Sequence, residues 1–60
     1  MNTYHLQIFF GYNWIKQIIE ANYIEYDEGL IEFYLEGDDE DVLVAVSPIE
    51  KTFIHKIERK

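Results

Sequence analysis

The fold is decided between residues 22 and 46, where the chain reads NYIEYDEGLIEFYLEGDDEDVLVAV. Two runs rich in aromatic and β-branched residues, 22–26 and 30–35, flank an acidic turn that ends at Gly29. A glycine between two such runs is typical of a β-hairpin. The third run, 42–46, is wholly apolar, as in a strand that is buried on both faces. This stretch therefore predicts three consecutive antiparallel strands.

The register of these strands follows from keeping their apolar residues on one side. A two-residue turn at Glu28 and Gly29 gives one largely apolar face, whereas a three-residue loop would set Ile24 against Glu32 and mix the faces. We adopt the first register, which makes the pairs Tyr26–Ile31, Ile24–Phe33, Asn22–Leu35, Tyr23–Tyr34 and Glu25–Glu32. The same reasoning for the next strand predicts the pairs Leu35–Val42, Phe33–Val44 and Ile31–Val46.

The remaining segments are less uniform in pattern. Residues 4–10 alternate with period two and predict another strand. Residues 13–21 are compatible with a helix capped by Asn13 or with a strand. At the C-terminus, Ser47 as N-cap and Pro48 as first helical residue predict a helix over residues 48–59. Because residues 52–57 are rich in strand formers, we favour a single helical turn at 48–51 followed by a strand.

Sixty residues allow one domain, residues 1–60. The predicted fold class is mainly β: a small antiparallel meander of four or five strands, for which the pattern leaves curling of the sheet open, with an α+β fold carrying a C-terminal helix over residues 48–59 as the alternative. The chain has no cysteine, so neither disulfides nor a thiolate zinc site stabilise it. Its apolar residues exceed what one thin sheet covers. Either the sheet closes into a barrel or two chains pack face to face, and we expect a symmetric homodimer.

Charge is unevenly distributed along the chain. The net charge is −7, and the ten acids between Glu20 and Asp41 are accompanied by no Lys or Arg, while four of the five bases lie in the last ten residues. This balance disfavours direct binding to nucleic acid or to anionic membranes. It favours a basic protein partner, although acidity also simply keeps a small β protein soluble.

Targeting signals and catalytic motifs are not recognisable. The longest apolar run has five residues, against about 20 for a membrane span, and no signal peptide is evident, so we expect a cytoplasmic protein. The acids at 38–41 do not match a calcium loop, and His5 and His55 lack neighbouring ligands at metal spacing. Ser47 has no adjacent base. We therefore expect neither enzymatic activity, nor a metal site, nor a cofactor.

The second face of the predicted hairpin is the candidate binding surface. Two tyrosines and an apolar residue are bordered there by carboxylates, a set that we call the acidic-tyrosine face: Tyr23, Glu25, Glu32, Tyr34, Glu36 and Leu43. Glu25 opposite Glu32 is a like-charge pair, which folding alone does not favour. Alternate carboxylates on a strand lie about 6.6 Å apart, close to two axial rises of a nucleic-acid strand. The alternatives are an ordinary solvent face or a layer covered by residues 14–19.

Residues 21–34 together with the Val44-Ala45-Val46-Ser47-Pro48 run resemble short β-meander proteins of bacteriophages and other mobile elements. Those proteins typically have a strand, an acidic-glycine turn, an aromatic strand ending in Phe-Tyr, and an apolar strand before a proline turn. The resemblance implies a phage setting, in which small acidic proteins often inhibit host machinery, and favours a C-terminal strand. The resulting hypothesis is an inhibitor of a basic or nucleic-acid-binding host protein. A self-assembling β module or a small-ligand binder is the alternative.

Overall fold

The computed structural model describes all 60 residues and contains six strands and one short 3-10 turn. The strands are β1 (Asn2–Phe10), β2 (Asn13–Ala21), β3 (Tyr23–Asp27), β4 (Leu30–Leu35), β5 (Val42–Pro48) and β6 (Thr52–Glu58), with the 3-10 turn at Ile49–Lys51. The chain forms no helix with the length and apolar character that crossing a membrane requires.

The strands form two antiparallel three-stranded sheets, so the mainly β fold class is confirmed. The first sheet has the order β2-β1-β6, and the second has the order β3-β4-β5. The predicted meander corresponds to the second sheet, and the complete chain has six strands in two sheets that do not close into a barrel. The chain passes between sheets at a bend at Asn22 and again at the 3-10 turn, which carries β6 onto β1.

The register predicted for the first hairpin of the second sheet is confirmed. Tyr26 lies opposite Ile31 and Ile24 lies opposite Phe33. Glu28 and Gly29 have φ values of 49° and 78°, as in the two-residue turns whose twist matches that of the flanking strands. Gly29 adopts this conformation without the steric cost of a Cβ atom.

The register predicted between β4 and β5 is right at one end and wrong at the other. Leu35 lies opposite Val42 as expected, but a bulge follows, so that Phe33 faces Ala45 rather than Val44 and Ile31 faces Ser47 rather than Val46. A bulge inserts one unpaired residue and shifts every later pair by one. The shift places the small side chains of Ala45 and Ser47 opposite the buried Phe33 and Ile31, and it leaves Val44 and Val46 exposed.

Both ambiguous segments are strands. Residues 13–21 form β2, and the C-terminus is a 3-10 turn followed by β6, so the helical alternative over 48–59 is wrong. The predicted N-cap at Ser47 is also not formed, because no side chain caps the turn. Instead, the Ser47 and Thr52 hydroxyls hydrogen-bond each other, and the Thr52 hydroxyl donates to the Pro48 carbonyl at 2.6 Å. A ladder with β1 satisfies the β6 backbone in place of helical hydrogen bonds.

The core lies between the two sheets and is small. Its buried apolar residues are Tyr4, Leu6, Ala21, Ile31 and Phe33. The rings of Tyr4 and Phe33 meet edge to face, with centroids 5.5 Å apart at 71°, and join the first sheet to the second. Only six of the 60 residues are buried in total. Most of each outer sheet face is therefore left to solvent or to a partner.

Candidate functional site

The residues of the predicted acidic-tyrosine face lie together on the outer side of the second sheet. Tyr34 of β4 lies between Tyr23 of β3 and Leu43 of β5. Two residues further along the same strands, Glu25 lies opposite Glu32. Residues paired across antiparallel strands place their side chains on the same face. Glu36 follows β4 at the margin and is exposed, and its backbone N–H donates to Asn22 Oδ1 at 2.8 Å. The first sheet, which includes residues 14–19 in β2, packs on the opposite face of the second sheet, where Phe33 meets Tyr4, and so does not cover this face.

The two tyrosines form the centre of the face. Their rings stack with centroids 5.2 Å apart and an interplanar angle of 13°. The Tyr34 hydroxyl donates to Glu32 Oε1 at 2.9 Å, and the Tyr23 hydroxyl donates to Asp41. Asp41 also accepts the backbone N–H of Gly37 at 3.3 Å. The acidic loop at 37–41 is therefore anchored to the tyrosine pair, a contribution of Asp41 that the sequence pattern did not indicate.

Both hydroxyls hold their protons more tightly than an ordinary tyrosine. The hydrogen bond to Asp41, followed by partial desolvation and the negative charges of Asp41 and Glu25, raises the pKa of Tyr23 from 10.0 to about 12. The hydrogen bond to Glu32 is the main cause of the raised pKa of Tyr34. These shifts share one physical origin, because a phenolate next to carboxylates would lose its hydrogen bond and face like charges.

Removing the Asp41 carboxylate is expected to bring the pKa of Tyr23 from about 12 back towards 10.0. We expect this for Asp41→Ala in an alkaline titration of phenolate absorbance, with Tyr23→Phe identifying the late-titrating group. The folded state favours the neutral Tyr23 hydroxyl. The Tyr23–Asp41 hydrogen bond therefore contributes fully to stability below pH 10, and this contribution is lost as the pH rises towards 12. Glu40→Ala is the matched control, and an equal effect there would contradict the assignment to Asp41.

The carboxylates of this surface have no basic neighbours. The ion pairs of the chain are those of Glu58, with His5 and with Lys56, at a distance from the second sheet. None of the ten acids between Glu20 and Asp41 forms one. Of the four bases at the C-terminal end, Lys51 ends the 3-10 turn, Lys56 lies on β6 in the first sheet, and Arg59 and Lys60 follow β6. The outer side of the second sheet is therefore an uncompensated negative surface.

The outer side of the first sheet carries a different surface, which the sequence indicated only as an excess of apolar residues and not as a defined site. Tyr4 and Leu6 point into the core, so the alternate residues of β1 and their partners point outward. This exposes a set of large apolar side chains on one side of the sheet, here called the aromatic face: Phe9, Trp14, Ile18 and Phe53. Phe9 and Trp14 pack with ring centroids 5.3 Å apart, and Phe53 lies opposite Gln7. Its signal in the sequence was Phe9, which points away from the core stripe.

Two further features of the structure bear on ligand binding: an apolar groove and a pair of histidines. A groove of about 450 Å³ runs between β2 and β5, with mainly apolar walls that include Ile8, Ile19 and Val44, and it is where a small-ligand binder would hold its ligand. The imidazoles of His5 and His55 come within 6.0 Å of each other, but the structure contains no group of three or more His, Asp or Glu residues arranged to hold a metal ion. No protein-family model, curated protein or solved structure matches this chain.

Proposed function

We propose that this protein binds a basic protein partner through the acidic-tyrosine face and inhibits it. The observation that carries the proposal is the combination of a stacked tyrosine pair with surrounding carboxylates that form no ion pair within the chain. Unpaired acids around these half-buried tyrosines are not favoured by folding alone, since Glu25 and Glu32 repel each other across the strands. They favour association with a positively charged surface.

The polar atoms of this face select for a partner that donates hydrogen bonds. The Tyr23 and Tyr34 hydroxyl protons are directed at Asp41 and Glu32, so the face offers outward mainly acceptors: carboxylate and phenolic oxygens. Lys and Arg side chains supply donors only. Arginine fits best, because its planar guanidinium pairs with carboxylates in two parallel hydrogen bonds and also stacks on aromatic rings.

The spacing of the acids favours a partner that itself binds nucleic acid. Glu25 and Asp27 are alternate residues of β3, so their side chains leave the same side of the strand about 6.6 Å apart. Two axial rises along one nucleic-acid strand span about 6.8 Å. Every second phosphate along one strand is therefore spaced along the axis like these two carboxylates, so a protein surface that accepts a nucleic-acid backbone also accepts this edge, and occupying that surface blocks the natural ligand. The resemblance to phage β-meander proteins supports a host protein as the target.

The proposal is tested by capture from a bacterial lysate on immobilised protein at low and at moderate salt, followed by competition. We expect the wild-type chain to retain a basic protein that is released as salt rises, because exposed charge pairs are screened. Added duplex DNA should also release it if the acidic face occupies a phosphate-binding surface. The captured protein should lose its nucleic-acid binding when the chain is added back.

The decisive variant is Glu25→Gln with Glu32→Gln. This variant removes two negative charges from the binding surface, so we expect capture of the basic partner to be lost. It also removes the repulsion between Glu25 and Glu32, so we expect the fold to become more stable by about 0.2–1 kcal/mol. The matched control, Glu20→Gln with Glu50→Gln, makes the same change in net charge at exposed positions outside this face and should retain capture. Retention of the partner by the first variant would show that the binding surface lies elsewhere.

A further inference from the structure

The aromatic face leaves large apolar side chains exposed to solvent. Trp14, Ile18 and Phe53 are 57%, 60% and 57% exposed, and all three lie on one side of the first sheet. A compact chain of 7.2 kDa is expected to expose about 4,100 Å², whereas this chain exposes 4567 Å². The chain therefore exposes somewhat more total surface than a compact monomer, and the exposed apolar side chains of the aromatic face are of the kind that association removes from water.

Charge decides which surface a second copy can approach. Each chain carries a net charge of −7, so two copies repel unless they meet on a surface whose acids are few and balanced by bases. No acid occurs before Glu20, and the charged residues on the outer side of the first sheet balance: Lys16 and Lys56 against Glu20 and Glu58. The free edge at β5 is also apolar, but it adjoins the acidic loop at 38–41 and Glu32. Pairing there would bring two acidic clusters together.

We propose that two copies of the chain form a closed two-fold dimer by packing their aromatic faces against each other. Two sheets packed face to face interdigitate their inward side chains. In this arrangement the first sheets form the centre and the second sheets lie outside, so that the two acidic surfaces are held on opposite sides of the dimer. The interface is isologous: Trp14 and Phe53 of each protomer contact the same patch on its partner, and assembly ends at two chains.

The structure provides its own reporter for this interface, since Trp14 is the only tryptophan of the chain. In sedimentation equilibrium at micromolar concentration, we expect about twice the 7.2 kDa chain mass. On dilution, the dimer should dissociate with a red shift of Trp14 emission and increased quenching by acrylamide. Added salt should strengthen association, because it screens the net repulsion while leaving apolar burial intact.

The variant that tests the interface is Ile18→Thr with Phe53→Thr, which keeps β-forming residues at exposed positions and should leave the far-UV spectrum unchanged. We expect association at least about 100-fold weaker, since four buried apolar side chains are lost per dimer. Val44→Thr with Val46→Thr removes exposed apolar surface from the second sheet and should leave the dimer intact. Glu25→Gln with Glu32→Gln should also leave it intact, which separates this inference from the proposed function.

Three results would overturn the proposal. One is a mass of 7.2 kDa at all accessible concentrations with a folded far-UV spectrum. Another is an unchanged dimer in the Ile18→Thr, Phe53→Thr variant. The third is a mass that increases beyond two chains with concentration, which indicates head-to-tail contact between an aromatic face and an acidic surface rather than a closed pair.

Discussion

Replacing Phe33 with alanine is expected to leave the protein largely unfolded at room temperature. Phe33 is fully buried and its ring meets Tyr4 across the two sheets, in a core of only five apolar residues. Removing a buried phenylalanine costs about 3–5 kcal/mol. A domain of 60 residues has a free energy of unfolding of about 3–9 kcal/mol. The substitution therefore removes a large part of that free energy.

The measurement is urea denaturation followed by circular dichroism, on wild-type and variant chains at the same concentration, because association also contributes to apparent stability. Phe10→Ala is the matched control. Phe10 is 71% exposed at the end of β1, and we expect its replacement to change the free energy of unfolding by less than about 1 kcal/mol. Equal midpoints for the two variants would contradict the assignment of the core.

Replacing Gly37 with alanine is expected to open the acidic loop and release Asp41 from Tyr23. A Cβ atom at Gly37 would lie 2.2 Å from the backbone carbonyl oxygen of Glu40, a separation that atoms do not tolerate, and a backbone atom cannot rotate aside as a flexible side chain does. The loop must therefore move as a unit. The Gly37 N–H to Asp41 hydrogen bond is the first to be lost.

The readout is again the pKa of Tyr23, which we expect to fall from about 12 towards 10.0, as for Asp41→Ala. Gly29→Ala is the control. A Cβ at Gly29 would meet no atom within 4 Å, but φ there is +78°, so this change costs stability through backbone strain while the Tyr23 to Asp41 contact remains. If Gly37→Ala leaves the Tyr23 titration unchanged, the loop does not control the tyrosine pair.

The two outer sheet surfaces have different proposed roles, one in partner binding and the other in dimerisation. The second sheet presents acceptors and unpaired negative charge, while the first presents apolar rings and balanced charge. A dimer formed through the aromatic face would carry two acidic-tyrosine faces. Two such surfaces on one particle bind a partner with several basic sites more tightly than either alone.

Much of the candidate site was predictable because it depends on local pattern. The turn at Glu28 and Gly29 and the period-two alternation on either side specify the β3–β4 register, since a one-residue slip would exchange core for solvent. That register alone brings Tyr23 to Tyr34 and Glu25 to Glu32. Asp41 was not predictable as a tyrosine partner, because its position depends on how the loop at 37–41 folds back.

The amino-acid sequence alone was sufficient for the mainly β class, the β3–β4 hairpin, and the placement of acids around two tyrosines, whereas it left the C-terminal segment open between a helix and a turn followed by a strand. The features that it predicted follow from interactions between residues close in the chain. Only the tertiary structure decided the bulge beside Phe33, the pairing of β6 with β1, and the exposure of Trp14 and Phe53 on one side. These depend on packing between residues far apart in the chain. The small core decides which side chains fit around it, and the position of β1 decides which strand edge is available to β6.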